Sequence, residues 1–208
     1  MQDFRFSAFM EQKDSEDAKK MILPWIDKER YIQNLFERGD QRAMDKFYME
    51  YADYLTGVCA RYISDEETLK DVVQESFIKI FTGIGEFTYR GKGSLKAWAT
   101  KIAVNEALMQ LRKDKQFIYS LQEAEIGNSP DEDPDTEGLG METLLFFIRK
   151  LPPGYRAVFN LYVIEEKSHK EIAEILQIQP NTSASQFLRA KRMLAEMIRE
   201  YELKMENR

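Results

Sequence analysis

"EIAEILQIQPNTSASQFLRAKRML", residues 171–194, reads as a short helix, a four-residue break and a longer helix with arginines along one side. Ser168 and Glu171 in "SHKE" stand at capping-box spacing, which gives the first helix a start signal. Ile172, Ala173, Ile175 and Leu176 supply its packed face. The break "QIQP" ends on Pro180, a residue favoured at the first helical position. Along the second helix Phe187, Ala190, Leu194 and Ile198 recur on an inner face, with Thr182, Ser185, Arg189 and Arg192 roughly opposite. That is the layout of a helix-turn-helix, whose second helix enters the major groove, where Arg can take both guanine acceptors. A helical hairpin with a solvated charged face has the same spacing, so the rest of the chain has to decide.

Composition narrows the choice. The chain has 208 residues, 43% of them hydrophobic, enough for one domain or two small ones. Cys59 is the one cysteine, so neither an internal disulfide nor a cysteine-based metal site can form, and a small buried hydrophobe is the expected role. His169 is the one histidine; with no nucleophile motif around it, it reads as a solvent-facing first-turn residue. These counts point away from enzyme chemistry, a metal or a cofactor. The longest uncharged apolar runs, such as Thr143 to Ile148, are too short to cross a membrane, and no basic-then-apolar leader opens the chain. A cytoplasmic protein is expected.

The net charge of −6 argues against a polyanion partner only as an average. Eight acids and no base lie between Ser120 and Glu142, and without them 30 Lys+Arg face 28 Asp+Glu. Between Tyr89 and Lys115 seven basic residues face only Glu106 and Asp114. Charge acts locally, within a Debye length of about 10 Å.

"EIGNSPDEDPDTEGLG", residues 125–140, has almost no large apolar side chain and reads as a linker. Expected from this is an all-α chain of two small helical domains, over 29–116 and 143–208, joined by a flexible acidic linker over 117–142. Residues 1–28 form an unassigned extension. In the first domain "DVVQESFIKIF" carries Val73, Phe77, Ile80 and Phe81 on one stripe. "SLKAWATKIAVNEALMQLRK" carries Leu95, Trp98, Ile102 and Met109 on another, with Ser94 as its N-cap. Asn105 falls on that second stripe, where a buried amide bonded to nearby backbone is the local reading.

Between these helices "TGIGEFTYRGKGS", residues 82–94, combines four glycines with Phe87, Tyr89, Arg90 and Lys92. Such a loop suits single-stranded nucleic acid, with charge following phosphates and rings stacking on bases. A surface loop whose aromatics tuck into the core has the same composition.

Two blocks together resemble the extracytoplasmic-function (ECF) sigma factors of bacterial RNA polymerase, in the sigma-70 family. The pattern Asp-x-Val-Gln-Glu-x-Phe at 71–77, with Trp-x-x-x-Ile-Ala-x-Asn at 98–105, is similar to sigma region 2. "LPPGYRAVFNLYVIEEKSHKEIAEILQIQPNTSASQFLRAKRML" is similar to sigma region 4. The resemblance spans roughly Tyr31 to Ile198 with the linker between.

The resemblance implies a non-catalytic subunit that binds core polymerase through the β′ clamp and β flap and directs promoter recognition, melting and initiation. Asp71, Val73, Gln74, Glu75 and Phe77 correspond to the clamp-docking helix. Phe87, Tyr89, Arg90, Lys92, Lys101 and Asn105 correspond to the elements that capture an unpaired base of the −10 element, which replaces the local reading of Asn105; Trp98 stays in the core. Thr182, Ser185, Gln186, Arg189 and Arg192 fall on the helix that reads the −35 element. An anti-sigma factor is an implied partner, the linker would thread toward the polymerase cleft, and a packed free state would bury the DNA-binding faces. The chain departs from the pattern at Ala184, where relatives often carry a basic residue, and at Gln177 and Gln179, in place of a turn glycine and a serine cap. A stand-alone helix-turn-helix regulator is the alternative, though it has no use for the basic loop or Asn105. A helical protein–protein adaptor is a third, separable by salt dependence.

Overall fold

The computed structural model describes residues 27–114, 117 and 138–206. Residues 1–26 of the extension and residues 118–137 of the linker lie outside the described residues. Those described form helices and no strand, as the all-α reading requires.

The first domain is built from α1 (Lys28–Glu37), α2 (Arg42–Ala60), α3 (Glu66–Gly83) and α4 (Ser94–Leu111), with a 3₁₀ turn at Ile84–Glu86 after α3. Asp27 caps α1 and Asp65 caps α3, each accepting backbone N–H groups that the first turn leaves unpaired. Phe47, Tyr51, Leu55 and Val58 bury one stripe of α2. Phe47 lies at the centre of an aromatic cluster, with ring centroids 4.8 Å from Tyr51, 5.7 Å from Phe81 and 6.1 Å from Phe77.

Helix α4 packs differently from its expected stripe. Its buried line is Leu95, Ala99, Ala103 and Ala107, flanked by Val104, Leu108 and Leu111, while Met109 is exposed and Trp98 and Ile102 are only partly covered. Small residues at i, i+4, i+8 let α4 approach α2 and α3 closely, and Trp98, Ile102 and Met109 stand at the margins. Ser94 is likewise not the N-cap. Gly93 holds that place at φ 91°, a conformation that suits glycine, and Ser94 Oγ donates instead to the Gly91 carbonyl at 2.6 Å. Cys59 is fully buried, as expected, and burial pushes its thiol up to about 11. Phe117, assigned to the linker by composition, belongs to this core with 1% of its surface exposed.

The second domain comprises α5 (Met141–Lys150), α6 (Pro153–Phe159), a π turn (Asn160–Ile164), α7 (His169–Leu176) and α8 (Pro180–Glu206). Phe147, Ile148, Leu151, Tyr155 and Phe159 close over Ala190, Leu194 and Ile198 of α8. The capping box forms: Ser168 Oγ accepts from the Glu171 N–H at 3.3 Å, and the Ser168 N–H donates to Glu171 at 2.8 Å. Backbone and hydroxyl donation from Ser168 holds the Glu171 carboxyl below its usual range. Gln177, in place of a turn glycine, closes the helix-turn-helix in the left-handed region at φ 57° and ψ 45°.

The two domains share a seam. Ala157, Val158, Leu161, Ile172 and Leu176 of the second join the hydrophobic core of the first. At the end of α2 two carbonyls that the helix leaves without an internal donor are taken across the seam: Arg156 donates to the Tyr62 oxygen at 2.8 Å and Asn160 Nδ2 to the Arg61 oxygen at 2.7 Å. Arg156 also donates to the Arg149 carbonyl at 2.6 Å, and its burial lowers the guanidinium to about 10. Arg61 pairs with Glu165 at 3.5 Å, and Arg112 donates to the Ile175 carbonyl.

Two outcomes are expected. Replacing Gln177 by glycine relieves the left-handed conformation and raises stability by about 1 kcal/mol, read as a higher denaturant midpoint with unchanged slope. Arg156→Ala uncaps α2 and loosens the seam by on the order of 3 kcal/mol, read as a larger radius of gyration in small-angle scattering with helicity retained.

Candidate nucleic-acid interface

The outer side of α4, left free by its alanine line, carries Lys101 and Asn105, both exposed. Asn105 is thus not on the apolar stripe, because the helix turns its small residues inward and places Asn105 at the rim. Beside these residues Lys96 lies over the Tyr54 ring, 3.9 Å from its centroid, and the Tyr54 and Thr100 hydroxyls are 3.1 Å apart. Together they form one wall of a cleft of about 790 Å³ between the domains. The facing wall carries Glu165, Glu171 and Glu174 with Lys167 and Ile175. The basic face of α4 therefore looks onto an acidic face of the second domain.

The loop leading into α4 is tied down. Phe87 is half-buried against Trp98, ring centroids 5.2 Å apart, and both rings pack on the edge of the core. The Tyr89 hydroxyl donates to the Asp27 carboxylate, which raises the phenol to about 12 and lowers the Asp27 carboxyl. Neither ring is splayed for stacking as the loop's composition suggests, because each has found a partner within the domain. Arg90 and Lys92 project from the loop into solvent. At its end Glu29, a residue not singled out in the sequence, accepts backbone N–H groups of Gly93 at 2.8 Å and Leu95 at 3.1 Å on Oε2, and of Lys96 at 3.3 Å on Oε1. A glutamate among charged neighbours on a helix gives no sequence signal that it will cap another helix.

On α3, Asp71, Gln74 and Glu75 are exposed and Val73 is half-buried. Phe77 is not available for docking: it is 6% exposed and packs on Phe47 and Phe81. The spacing i, i+3, i+4, i+7 adds Ile78, exposed at 47%, to the outer stripe of Asp71, Gln74 and Glu75. Tyr48, 55% exposed and 5.0 Å from Phe77 in centroid distance, borders this surface. Ile78 was legible as the apolar residue that falls outside the buried period.

On α8, Thr182, Ser185, Arg189 and Arg192 are partly exposed, with Ser185 Oγ donating to the Asn181 carbonyl at 2.9 Å. Arg189 donates to the Tyr155 hydroxyl at 3.1 Å, which holds it against its own domain. Gln186 is fully buried and cannot present its amide to a base in this arrangement. It lies on the inner line Ser183, Gln186, Ala190, Leu194, which includes two polar residues that composition places outside. His169 is also half-buried rather than solvent-facing: its ring stacks 4.6 Å from Tyr162 and its Nδ1 lies 2.9 Å from Ser183 Oγ. Burial pulls its pKa down.

Among the described residues no cluster of His, Cys, Asp and Glu is arranged to hold a metal ion, and no helix is long and apolar enough to cross a membrane.

Comparison with known proteins agrees with the two blocks. Residues 47–117 match the family described as Sigma-70 region 2, and residues 141–194 match Sigma-70, region 4. The chain is 32% identical over 174 residues to the ECF RNA polymerase sigma-E factor of Haemophilus influenzae, covering 78% of this chain and 90% of that one. It is 29% identical over 167 residues to the RNA polymerase sigma-H factor of Pseudomonas aeruginosa, covering 74% and 86%. With the ECF RNA polymerase sigma factor SigW of Bacillus subtilis the identity is 29% over 185 residues, covering 79% and 93%. Two sigma regions in family order on a helical fold, together with the 32% identity to an ECF sigma factor, place the chain in the sigma-70 family, among the ECF sigma factors.

Proposed function

We propose that this sigma factor docks on core RNA polymerase through the outer stripe of α3, with Asp71, Gln74, Glu75 and Ile78 against the β′ clamp and Val73 at its edge. Region 4 binds the β flap and reads the −35 element from the partly exposed side of α8, through Thr182, Ser185, Arg189 and Arg192. The loop carrying Arg90 and Lys92, with Lys101 and Asn105 of α4, receives the unpaired strand of the −10 element. The observation that carries this reading is the order of the two matched regions in one chain, since a stand-alone regulator needs the second and has no use for the first.

The protein supplies binding and no catalytic step, and it works in the cytoplasm, where the polymerase is. In the free chain the acidic wall of Glu165, Glu171 and Glu174 stands over Lys101 and Asn105, so the domains part before the −10 face meets DNA. Support for this closed state comes from the capped carbonyls of Arg61 and Tyr62 at the seam. An anti-sigma factor that covers the α3 stripe would keep the protein off polymerase.

The first test is transcription in vitro from sheared genomic DNA with core polymerase, with RNA 5′ ends mapped. New starts that share two spaced upstream motifs support the reading; DNA binding without new starts favours a stand-alone regulator. Reversing the charge at Asp71 and Glu75 together is expected to abolish binding to core polymerase with helicity intact, measured by gel filtration of the mixture. Arg189→Ala should weaken selection at the −35 element by about 1–3 kcal/mol, seen by comparing promoters that differ only there.

A further inference from the structure

Glu29 belongs to the first helix, yet its carboxylate is spent on the fourth. Helix α4 begins at a glycine, so it has no side chain of its own to take the N–H groups that its first turn leaves unpaired. Glu29, 7% exposed, takes three of them, and Tyr51 of α2 donates to its Oε1 at 3.2 Å from behind. Two residues earlier Asp27 caps α1 and holds the Tyr89 hydroxyl, and Arg30 stands 5.1 Å from the Tyr89 ring centroid. The first turn of α1 therefore grips the loop at Tyr89 and again at Gly93–Lys96. Between the two grips Arg90 and Lys92 project into solvent.

We propose that Glu29 is a positioning residue for base selection at the −10 element: its carboxylate fixes the loop and the start of α4 in the one geometry that discriminates the unpaired base. This rests on the reading above, in which that loop receives the unpaired strand. The chemistry of the cap makes the proposal sharp. Every group on the two Glu29 oxygens is a donor, three amides and a phenol. In a glutamine of the same volume one flip turns the NH₂ toward the Gly93 and Leu95 N–H groups, and the other turns it toward the Lys96 N–H and the Tyr51 hydroxyl, which can rotate to accept, so at least one amide of the cap is lost without a cavity. The glycines at 91 and 93, both at positive φ, then leave the loop free to sample other conformations.

The test uses the full chain assembled with core polymerase and a forked fragment of a promoter mapped by transcription in vitro, in four versions with each base at the unpaired position. The native chain is expected to prefer one base by about tenfold or more, and Glu29→Gln to reduce that preference to about threefold or less. Affinity for core polymerase and for a duplex with the −35 element alone should stay within about twofold, because those surfaces are remote from the cap. Val58→Ala, which truncates a buried side chain of the same domain, separates positioning from general loosening. At matched melting temperature it should keep the base preference.

A native preference in Glu29→Gln overturns the proposal, and so does equal loss in Val58→Ala. Should Glu29→Gln fail to fold, Glu29→Asp, which keeps the charge and withdraws it by one methylene, is measured in its place; an unchanged preference there overturns the proposal equally. A native chain that initiates transcription but shows no base preference overturns the base-capture reading itself, whatever the variants do.

Discussion

Helices leave backbone groups unpaired at both ends, and in this chain the ends that matter are closed from far away in the sequence. The N–H groups opening α4 go to Glu29, more than sixty residues upstream. The carbonyls closing α2 go to Arg156 and Asn160, in the other domain and more than ninety residues downstream. A buried polar group left unpaired costs about 1–3 kcal/mol, so these few contacts constrain the structure strongly for their number. The first orders the loop ahead of the basic helix. The second joins the domains.

The alanine line of α4 has a related consequence. A helix that packs through its small residues sits close to its neighbours and leaves its long polar residues at the surface. Lys101 and Asn105 are therefore free to face a cleft, while the charge that does enter the interior, Glu106, is met by Lys79 at 2.6 Å. Across the cleft, Glu165, Glu171 and Glu174 make the closed arrangement electrostatically complementary. The seam thus combines an apolar core, capped carbonyls and opposed charge. Each is a kind of contact that a polyanion or a protein partner can compete for.

The candidate surfaces were legible to different degrees. The outer stripe of α3 was readable in Asp71, Gln74 and Glu75, but Phe77 was misplaced and Ile78 missed, because the large aromatic residue draws the eye and the buried period decides. On α8 the arginines and hydroxyls fell on the partly exposed side, whereas Gln186 turned inward with Ser183. Polarity is a poor guide where a helix-turn-helix packs its second helix tightly on its first. In the loop the composition points to rings that stack on bases, whereas Phe87 packs on Trp98 and Tyr89 binds Asp27, partners not foreseeable from spacing.

What the sequence determined by itself is local. The helices themselves, the capping box of Ser168 and Glu171 and the turn at 177–180 depend on residues within one or two turns of each other, and they are found where the spacing placed them, although the buried line of α4 is not. What only the tertiary structure decided is which distant groups meet: Glu29 with the start of α4, Arg156 and Asn160 with the end of α2, and the acidic α7 with the basic α4. Those contacts are set by how the helices pack, and a carboxylate or guanidinium on an amphipathic helix has the same local pattern whether it faces water or another helix's unpaired backbone.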